Sequence, residues 1–235
     1  MTYKHDVTKL WVRNRSDELA VANGCTFDLD RAMHAVWWIE RFCNLYEGAS
    51  GPMRLATCHV CGYYEDAGLQ TDWDDKETQK IVRRRAAKFA RCVAKGHRID
   101  WQYECVMRLL GWVKHSERLD RPVRRFREAS IFIGKKNAKS PQLAAIGLYL
   151  LIGDGEQGQK VYLAAKDGTQ ARDIAGGHVV KMVEKSPDLR DACTINKNLM
   201  RVTHEVSDSW LQPLSSANET TQKSKEGLNG SVLVD

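Results

Sequence analysis

Residues 130–140 read Ser-Ile-Phe-Ile-Gly-Lys-Lys-Asn-Ala-Lys-Ser, and this stretch carries the strongest indication of the fold class. Its first four residues, 130–133, are an apolar run that predicts a buried β-strand, and residues 134–140 predict a loop. A helix is expected over residues 142–152, with Pro141 in the first turn, where proline is tolerated. Strand, loop and helix together form a cradle for nucleotide phosphates, because the N–H groups and the dipole at a helix start favour negative charge.

The loop has distinct expected roles for its side chains. Lys139 would reach the β- and γ-phosphates of a nucleotide, and the Ser140 hydroxyl would ligate Mg²⁺. The other residues expected to bind the nucleotide in this loop are Gly134, Lys136, Asn137 and Ala138. The loop departs from the pattern G-x-x-x-x-G-K-[ST], because Gly134 lies five residues before Lys139 instead of six and Ala138 replaces the second glycine.

A second element lies at residues 231–235, which read Ser-Val-Leu-Val-Asp. An apolar strand ending in aspartate has the form of a Walker B motif, whose carboxylate holds Mg²⁺ through its water shell. Asp235 lies 95 residues after Ser140, with a strand–helix unit between them. The two elements therefore support each other as parts of one site.

Apolar runs and helical patterns alternate from residue 100 onward. Helices are expected at 101–113 and 169–184, and a strand at 161–165. Shorter apolar runs follow at 199–206 and 210–214. The alternation predicts an α/β fold of the P-loop NTPase class over residues 100–235, with a mainly parallel sheet flanked by helices.

Residues 1–99 are expected to form a mostly helical N-terminal region. Apolar residues recur at helical spacing in 30–46 and 76–95, whereas 47–75 is expected to be loop with at most short strands. Trp37 and Trp38 are favoured as core residues over a stacking platform for nucleic-acid bases. A solvated face is the favoured interpretation of the basic residues in the second helix, which are Lys80, Arg83, Arg84, Arg85, Lys88 and Arg91.

Cys58 and Cys61 have the spacing of a zinc knuckle. Zinc needs four ligands, and the plausible later pair is Cys92 with His97, which begins inside a predicted helix and at a long separation. A pair of reduced structural thiols is therefore the favoured interpretation, with zinc binding as the alternative.

Composition sets broader limits on the class of protein. Apolar residues make up 43% and charged residues 28%, the ordinary balance of a globular protein, which argues against disorder. The net charge of +6 permits a polyanionic partner without demanding one. The longest apolar run, 143–152, is half of the roughly 20 residues that a membrane span needs, and the charged N-terminus is not a secretory signal. Seven scattered cysteines are typical of reduced thiols in a cytosol.

Several further segments, in the same order, resemble the ATPase domain of tailed-phage large terminase subunits. Asp100-Trp-Gln, followed by Leu109-Leu-Gly-Trp, is similar to the adenine-recognition segment of that family. The other segments that carry the resemblance are Arg124-Arg-Phe-Arg-Glu-Ala-Ser-Ile-Phe-Ile, Ala164-Ala-Lys-Asp-Gly-Thr-Gln-Ala, Met182-Val-Glu-Lys-Ser-Pro-Asp-Leu and Gly227-Leu-Asn-Gly-Ser-Val-Leu-Val-Asp.

The resemblance implies a motor that uses ATP and Mg²⁺ to move double-stranded DNA into a capsid. It implies that Gln102 reads adenine through its side-chain amide, with Trp101 packed nearby. Lys135 stands where the family often has an arginine, so γ-phosphate sensing would be weaker or would use Lys136. The implied partners are a small terminase subunit, a portal protein and further copies of the chain. The implied location is the cytoplasm of a bacterial host, and no association with a membrane is implied.

In the family that these segments resemble, a catalytic glutamate directly follows the Walker B aspartate. The given sequence stops at that aspartate, Asp235. We expect a chain cut short, without the coupling motif and the nuclease domain, that binds a nucleotide but hydrolyses it poorly. Two alternatives stay open: another P-loop motor such as a helicase, and a non-catalytic fragment that contacts a small terminase subunit through residues 1–100.

Overall fold

The computed structural model describes residues 8–45, 51–64, 72–126, 128–134, 136–165, 168–214 and 230–235, with backbone only at 175 and 176. The chain divides into two compact units. The first comprises Met1–Trp37 and Arg54–Phe132, and the second comprises Trp38–Met53 and Ile133–Asp235. The division into a mostly helical region at 1–99 and an ATPase domain at 100–235, drawn from the sequence, stays a prediction.

The helices and strands follow the chain in this order: α1 (Thr8–Trp11), α2 (Arg15–Ala22), β1 (Cys25–Phe27), α3 (Leu29–Phe42), β2 (Asn44–Leu45), β3 (Gly51–Pro52), β4 (Thr57–Cys58), β5 (Gly62–Tyr63), α4 (Lys76–Ala94), α5 (Trp101–Gly111), β6 (Trp112–Ser116), β7 (Arg121–Arg124), α6 (Lys139–Leu148), β8 (Lys160–Ala164), α7 (Gly168–Ile174), α8 (Lys181–Lys185), α9 (Pro187–Ala192), β9 (Cys193–Asn196), β10 (Arg201–His204), β11 (Ser209–Pro213) and β12 (Ser231–Val234). A π-helical turn follows α6 at Tyr149–Gly153, and another joins α7 to α8 at Ala175–Val180.

The predicted helices agree with this structure. Residues 30–46 and 76–95 match α3 and α4, and 169–184 matches α7, the π-helical turn and α8. Side-chain caps mark two of the starts, since Asp75 accepts a hydrogen bond from the Glu77 N–H at 2.8 Å and Asp100 accepts one from the Gln102 N–H at 2.9 Å. The helix predicted at 101–113 ends two residues earlier, because Trp112 already pairs with Phe27 as the first residue of β6.

An aromatic core holds the first unit together. The ring of Trp11 stacks on Phe27 at 4.3 Å and on Phe89 at 4.9 Å between centroids. Phe27 also meets the edge of Trp112, and Phe89 meets the edge of Tyr103. The core thereby joins α1, α4 and α5 to the antiparallel sheet β1–β6–β7.

A buried ion-pair network also lies in the first unit. The Asp17 side chain is 1% exposed and faces Arg108 Nη2 at 2.9 Å and Arg125 Nη1 at 2.8 Å. The Arg13 N–H donates to the same carboxylate at 3.0 Å. These contacts tie α2 to α5 and to the segment after β7, which are far apart in the chain.

Two side-chain predictions for this part of the chain have different outcomes. Trp37 and Trp38 are both buried, so their assignment to the core is confirmed. Arg85 was expected on a solvated face and is instead 1% exposed, which is a correction. Its guanidinium donates to the Tyr64 carbonyl oxygen at 2.8 Å and to the Tyr63 hydroxyl at 2.9 Å, and these bonds compensate the burial of its charge.

The second unit contains a five-stranded sheet in the order β12-β8-β11-β10-β9. β8 pairs in parallel with both β12 and β11, whereas β10 pairs antiparallel with β11 and β9. The prediction of a mainly parallel sheet is therefore correct only in part. Short connections separate β9, β10 and β11, and short connections can join only antiparallel strands.

The strand predicted at residues 130–133 is wrong. These residues belong to no strand, and the Phe132 side chain is 95% exposed. An apolar run becomes a buried strand only where a neighbouring strand supplies hydrogen bonds, and β12 pairs on one edge with β8 while no other described strand lies along its second edge. The expected strand before the loop is thus absent from the described residues, whereas the expected helix after the loop is present as α6.

Replacing Gly230 with alanine should weaken the second unit. A Cβ atom at this position would lie 2.3 Å from the carbonyl oxygen of Lys160, so β12 must move away from β8. We expect the free energy of unfolding, measured by urea denaturation, to fall by about 1–3 kcal/mol. Ser231→Ala, at the next residue, should change it by less than about 0.5 kcal/mol, and equal losses in the two variants would contradict the steric argument.

None of the described helices is long and apolar enough to cross a membrane.

Candidate functional site

The start of α6 places two of the predicted site residues. Lys139 and Ser140 are the first two residues of the helix, and Ala138 precedes them with a φ of 53°. This left-handed conformation favours glycine, which explains why the common loop pattern has glycine where this chain has alanine. Asn137 closes the loop, since its side-chain amide donates to the Gly134 carbonyl oxygen at 3.0 Å.

Strand β12 places the third residue. The Asp235 N–H donates to the Ala164 carbonyl oxygen at 2.9 Å, which continues the parallel pairing of β12 with β8 by one residue. α6 packs against the same sheet, because a Cβ at Gly147 would lie 3.0 Å from Leu233 Cδ1 on β12 and 3.1 Å from Leu211 Cδ1 on β11. This close packing brings the start of α6 to the carboxyl end of β12.

Lys139, Ser140 and Asp235 meet in one cluster. The Lys139 Nζ lies 2.5 Å from Asp235 Oδ1, and the Ser140 hydroxyl donates to Asp235 Oδ2 at 2.6 Å. The Asp235 side chain is 6% exposed, whereas that of Lys139 is 43% exposed. The structure therefore joins the two sequence elements that are 95 residues apart.

The charge state of Asp235 follows from these contacts. Burial opposes ionisation of this carboxyl group, but the hydrogen bonds from Lys139 and Ser140 outweigh that effect and hold its pKa below its ordinary value. The positive charge of Lys139 acts in the same direction. Asp235 is therefore a carboxylate at neutral pH, as a ligand for a metal cation must be.

An open cleft of about 570 Å³ lies over the cluster, within the second unit. Besides Ser140 and Asp235, its lining includes polar residues that the sequence reasoning did not assign to the site: Gln170, Arg172, His178, Lys181 and Lys197. His178 showed no informative spacing in the sequence. It reaches the cleft because the π-helical turn Ala175–Val180 carries it there.

The cleft suits a polyphosphate in its polarity and size. Arg172 and the two lysines line it together with the acidic Asp173 and Glu184, of which Glu184 pairs with Lys197 at 2.7 Å, and the N-terminus of the ten-residue helix α6 adds partial positive charge. The donor set also fits Mg²⁺, because a serine hydroxyl and an ionised carboxylate are hard oxygen ligands. Ser140 and Asp235 are the residues that would hold the ion.

The remaining predicted site residues lie in different places. Gly134, Lys136 and Asn137 are exposed in the loop before α6. Trp101 and Gln102 belong to the first unit, where they form the first turn of α5 and are half-buried. Lys135 lies outside the described residues.

Comparisons with known proteins point to one family. The model of the family described as "Terminase large subunit, ATPase domain" matches residues 100–234. No curated protein sequence matches the chain. A solved structure, the crystal structure of the HK97 bacteriophage large terminase, is similar over 87% of this chain and 37% of that chain, with a TM-score of 0.53 and 16% identity.

These matches carry different weight. At 16% identity the structural likeness shows a shared fold, and the chain spans little more than a third of the length of the HK97 protein. The family model, in contrast, covers more than half of this chain and includes the loop, α6 and all of β12, ending one residue before Asp235. The chain therefore belongs to the terminase large subunit ATPase domain family.

Proposed function

We propose that this chain is the nucleotide-binding part of a viral DNA-packaging motor, which couples ATP hydrolysis to the movement of double-stranded DNA into a capsid. The observation that carries the proposal is the meeting of Lys139, Ser140 and Asp235 at the edge of an open cleft. A lysine and a serine at a helix start, facing an aspartate at a strand end, are the groups that a P-loop ATPase uses.

Each residue has one task in the proposed mechanism. The Lys139 ammonium leaves Asp235 and neutralises the terminal phosphates of ATP, while the N–H groups at the start of α6 hold phosphate oxygens. Ser140 and Asp235 would hold Mg²⁺, which when bound would offset phosphate charge during phosphoryl transfer. Gly134, Lys136, Asn137 and Ala138 shape the loop around the phosphates.

Two further roles rest on family membership. Gln102 would read the adenine edge, since its amide offers both a donor and an acceptor, and Trp101 would pack nearby. Lys135 would take the place of the γ-phosphate-sensing arginine. A lysine there makes point contacts and cannot fork across two phosphate oxygens.

The partners follow from the same membership. Double-stranded DNA is the proposed cargo, and a small terminase subunit, a portal protein and other copies of the chain are the proposed assembly partners. The host cytoplasm is the proposed location. A single-strand helicase is the weaker alternative, because the family model that matches is that of terminases.

Asp235→Asn tests the proposed metal role. The substitution removes the carboxylate that would hold Mg²⁺ and also frees Lys139 from its ion pair. We expect Mg²⁺ to strengthen binding of ATP to the unmodified chain, and that gain to fall by about tenfold in the variant, while binding in EDTA is unchanged or stronger. Titration of a fluorescent ATP analogue with and without Mg²⁺ measures both effects.

The control is Asp191→Asn, which alters an exposed carboxylate outside the cleft. It should keep the full Mg²⁺ gain. A full Mg²⁺ gain in Asp235→Asn as well would remove Asp235 from the metal site, and no ATP binding by the unmodified chain would overturn the proposed function.

A further inference from the structure

Four potential metal ligands lie together in the first unit, outside the residues that the family model matches. They are Cys58, Cys61, Cys92 and His97, and their ligand atoms all lie within 4.8 Å of one another. Cys58 Sγ is 3.8 Å and Cys61 Sγ is 3.7 Å from His97 Nδ1, and Cys61 Sγ is 3.7 Å from Cys92 Sγ.

These separations are those of a tetrahedral zinc site. With zinc–sulfur bonds of about 2.3 Å and zinc–nitrogen bonds of about 2.0–2.1 Å, tetrahedral geometry puts two sulfurs about 3.8 Å apart and a sulfur and a nitrogen about 3.6 Å apart. The three distances given above lie within about 0.2 Å of these values, and the other pairs of ligand atoms lie within 4.8 Å. A disulfide would instead require two sulfurs at about 2.0 Å. It would also involve only two cysteines and would give no role to His97.

The fold brings the four residues together by two independent routes. Cys58 and Cys61 flank the turn between β4 and β5, where Gly62 has a φ of 75°. Cys92 lies in the last turn of α4, and the His97 N–H donates to the Cys92 carbonyl oxygen at 2.9 Å. The sequence separation that disfavoured zinc is therefore bridged by α4.

Backbone bonds fix the segment after His97 against the β4 hairpin. The His59 N–H donates to the Arg98 carbonyl oxygen at 2.9 Å, and the Asp100 N–H donates to the Thr57 carbonyl oxygen at 2.9 Å. Cys58 also forms an isolated β-bridge with Ile99. The cluster thus joins three segments: a hairpin, the end of α4 and the segment that leads into α5.

The hairpin that carries Cys58 and Cys61 is very short. β4 and β5 have two residues each, and hairpins of this length are not stable alone. Cys58 and Cys92 are buried while Cys61 is exposed, so the cluster lies at the edge of the first unit, where it closes the hairpin. A metal crosslink would add to the backbone bonds that hold this short hairpin in place.

We propose that Cys58, Cys61, Cys92 and His97 bind one structural Zn²⁺ ion. Four protein ligands fill a tetrahedral site and leave no position for water, so the ion has a structural and not a catalytic role. His97 binds through Nδ1, which leaves Nε2 for an outer hydrogen bond. The ion anchors the hairpin to the segment that leads into α5, the helix that begins with Trp101 and Gln102.

Zinc content of the full chain, purified without added metal, tests the proposal. We expect about one zinc ion per chain by elemental analysis. Cys61→Ser should lower this content at least tenfold, since it removes an exposed ligand without opening the core. Cys105→Ser is the matched control, because Cys105 lies on α5 outside the cluster, and it should keep one ion per chain.

Cobalt replacement keeps the test decisive if Cys61→Ser fails to fold. The zinc-depleted chain, with its sequence unchanged, should bind one Co²⁺ and show the visible absorption bands of tetrahedral cobalt with thiolate ligands. Absence of zinc from the unmodified chain together with absence of these bands would overturn the proposal, as would zinc content unchanged in Cys61→Ser. ATP binding is a separate readout, so failure here leaves the nucleotide site untouched.

Discussion

Lys139→Ala should weaken binding of Mg-ATP by about 10- to 100-fold. The ammonium group of Lys139 reaches Asp235 Oδ1 at 2.5 Å, so a short rearrangement brings it to a phosphate bound at the start of α6. A hydrogen bond to a charged group is worth about 1.5–3 kcal/mol, and each 1.4 kcal/mol corresponds to a tenfold change in affinity. Equilibrium titration with a fluorescent ATP analogue measures the loss.

The control for this variant is Lys185→Ala. Lys185 is an exposed lysine at the end of α8 and does not line the cleft. Its replacement removes the same charge from the chain, so it corrects for the general attraction between a cationic protein and ATP. Equal affinities in the two variants would show that Lys139 does not contact the nucleotide.

Asp17→Asn should lower the free energy of unfolding by about 3 kcal/mol. The amide has nearly the same shape but no charge, so Arg108 and Arg125 lose the carboxylate that both of them contact. Removing one partner of a buried ion pair costs about 3–5 kcal/mol. Both arginines keep some contact with solvent, which favours the lower end of that range.

The same network makes stability depend on pH. Burial opposes ionisation of Asp17, but hydrogen bonds from Arg108 and Arg125 outweigh it, so its pKa in the folded chain lies below its ordinary value. A lowered pKa stabilises the fold above the unfolded value, near pH 4, and this contribution is lost as pH falls through the folded pKa. Melting temperatures between pH 2 and pH 7 should therefore fall less steeply at the acid end for Asp17→Asn.

Glu18→Gln is the matched control for both measurements. Glu18 is the next residue on α2 and pairs with Arg15 at 2.8 Å, but both side chains are exposed. An exposed pair of this kind contributes about 0.2–1 kcal/mol. A loss in Asp17→Asn no larger than that in Glu18→Gln would contradict the network's role.

Much of the helical structure could be predicted from the sequence. Apolar residues at helical spacing predicted α3 and α4, and the aspartate caps at the starts of α4 and α5 sharpen such boundaries. Short strands were harder: the apolar runs at 199–206 and 210–214 overlap β10 and β11, whereas β9 was not expected and depends on its pairing with β10. The apolar run at 130–133 shows the reverse error, since its hydrophobicity predicted a strand that no described neighbour pairs with.

The functional residues also differ in whether local sequence patterns reveal them. Lys139, Ser140 and Asp235 follow local motifs, and the structure brings them together, while their roles with ATP and Mg²⁺ stay predictions. The cysteine cluster has no local motif beyond Cys58 and Cys61. Its third cysteine, Cys92, lies 31 residues after Cys61 near the end of α4. Long-range placement of this kind depends on tertiary packing, which single-sequence spacing does not encode.

The π-helical turn at Ala175–Val180 has a consequence for sequence alignment. A π turn accommodates about one more residue than an α-helical turn, so the chain on its far side is rotated by roughly 100° relative to a regular helix. An alignment that keeps α-helical periodicity through this turn would match His178 and Lys181 with residues one position away from their true counterparts in a homologue. Homologous residues around the cleft should therefore be matched separately on each side of the turn, with a one-residue gap placed inside it.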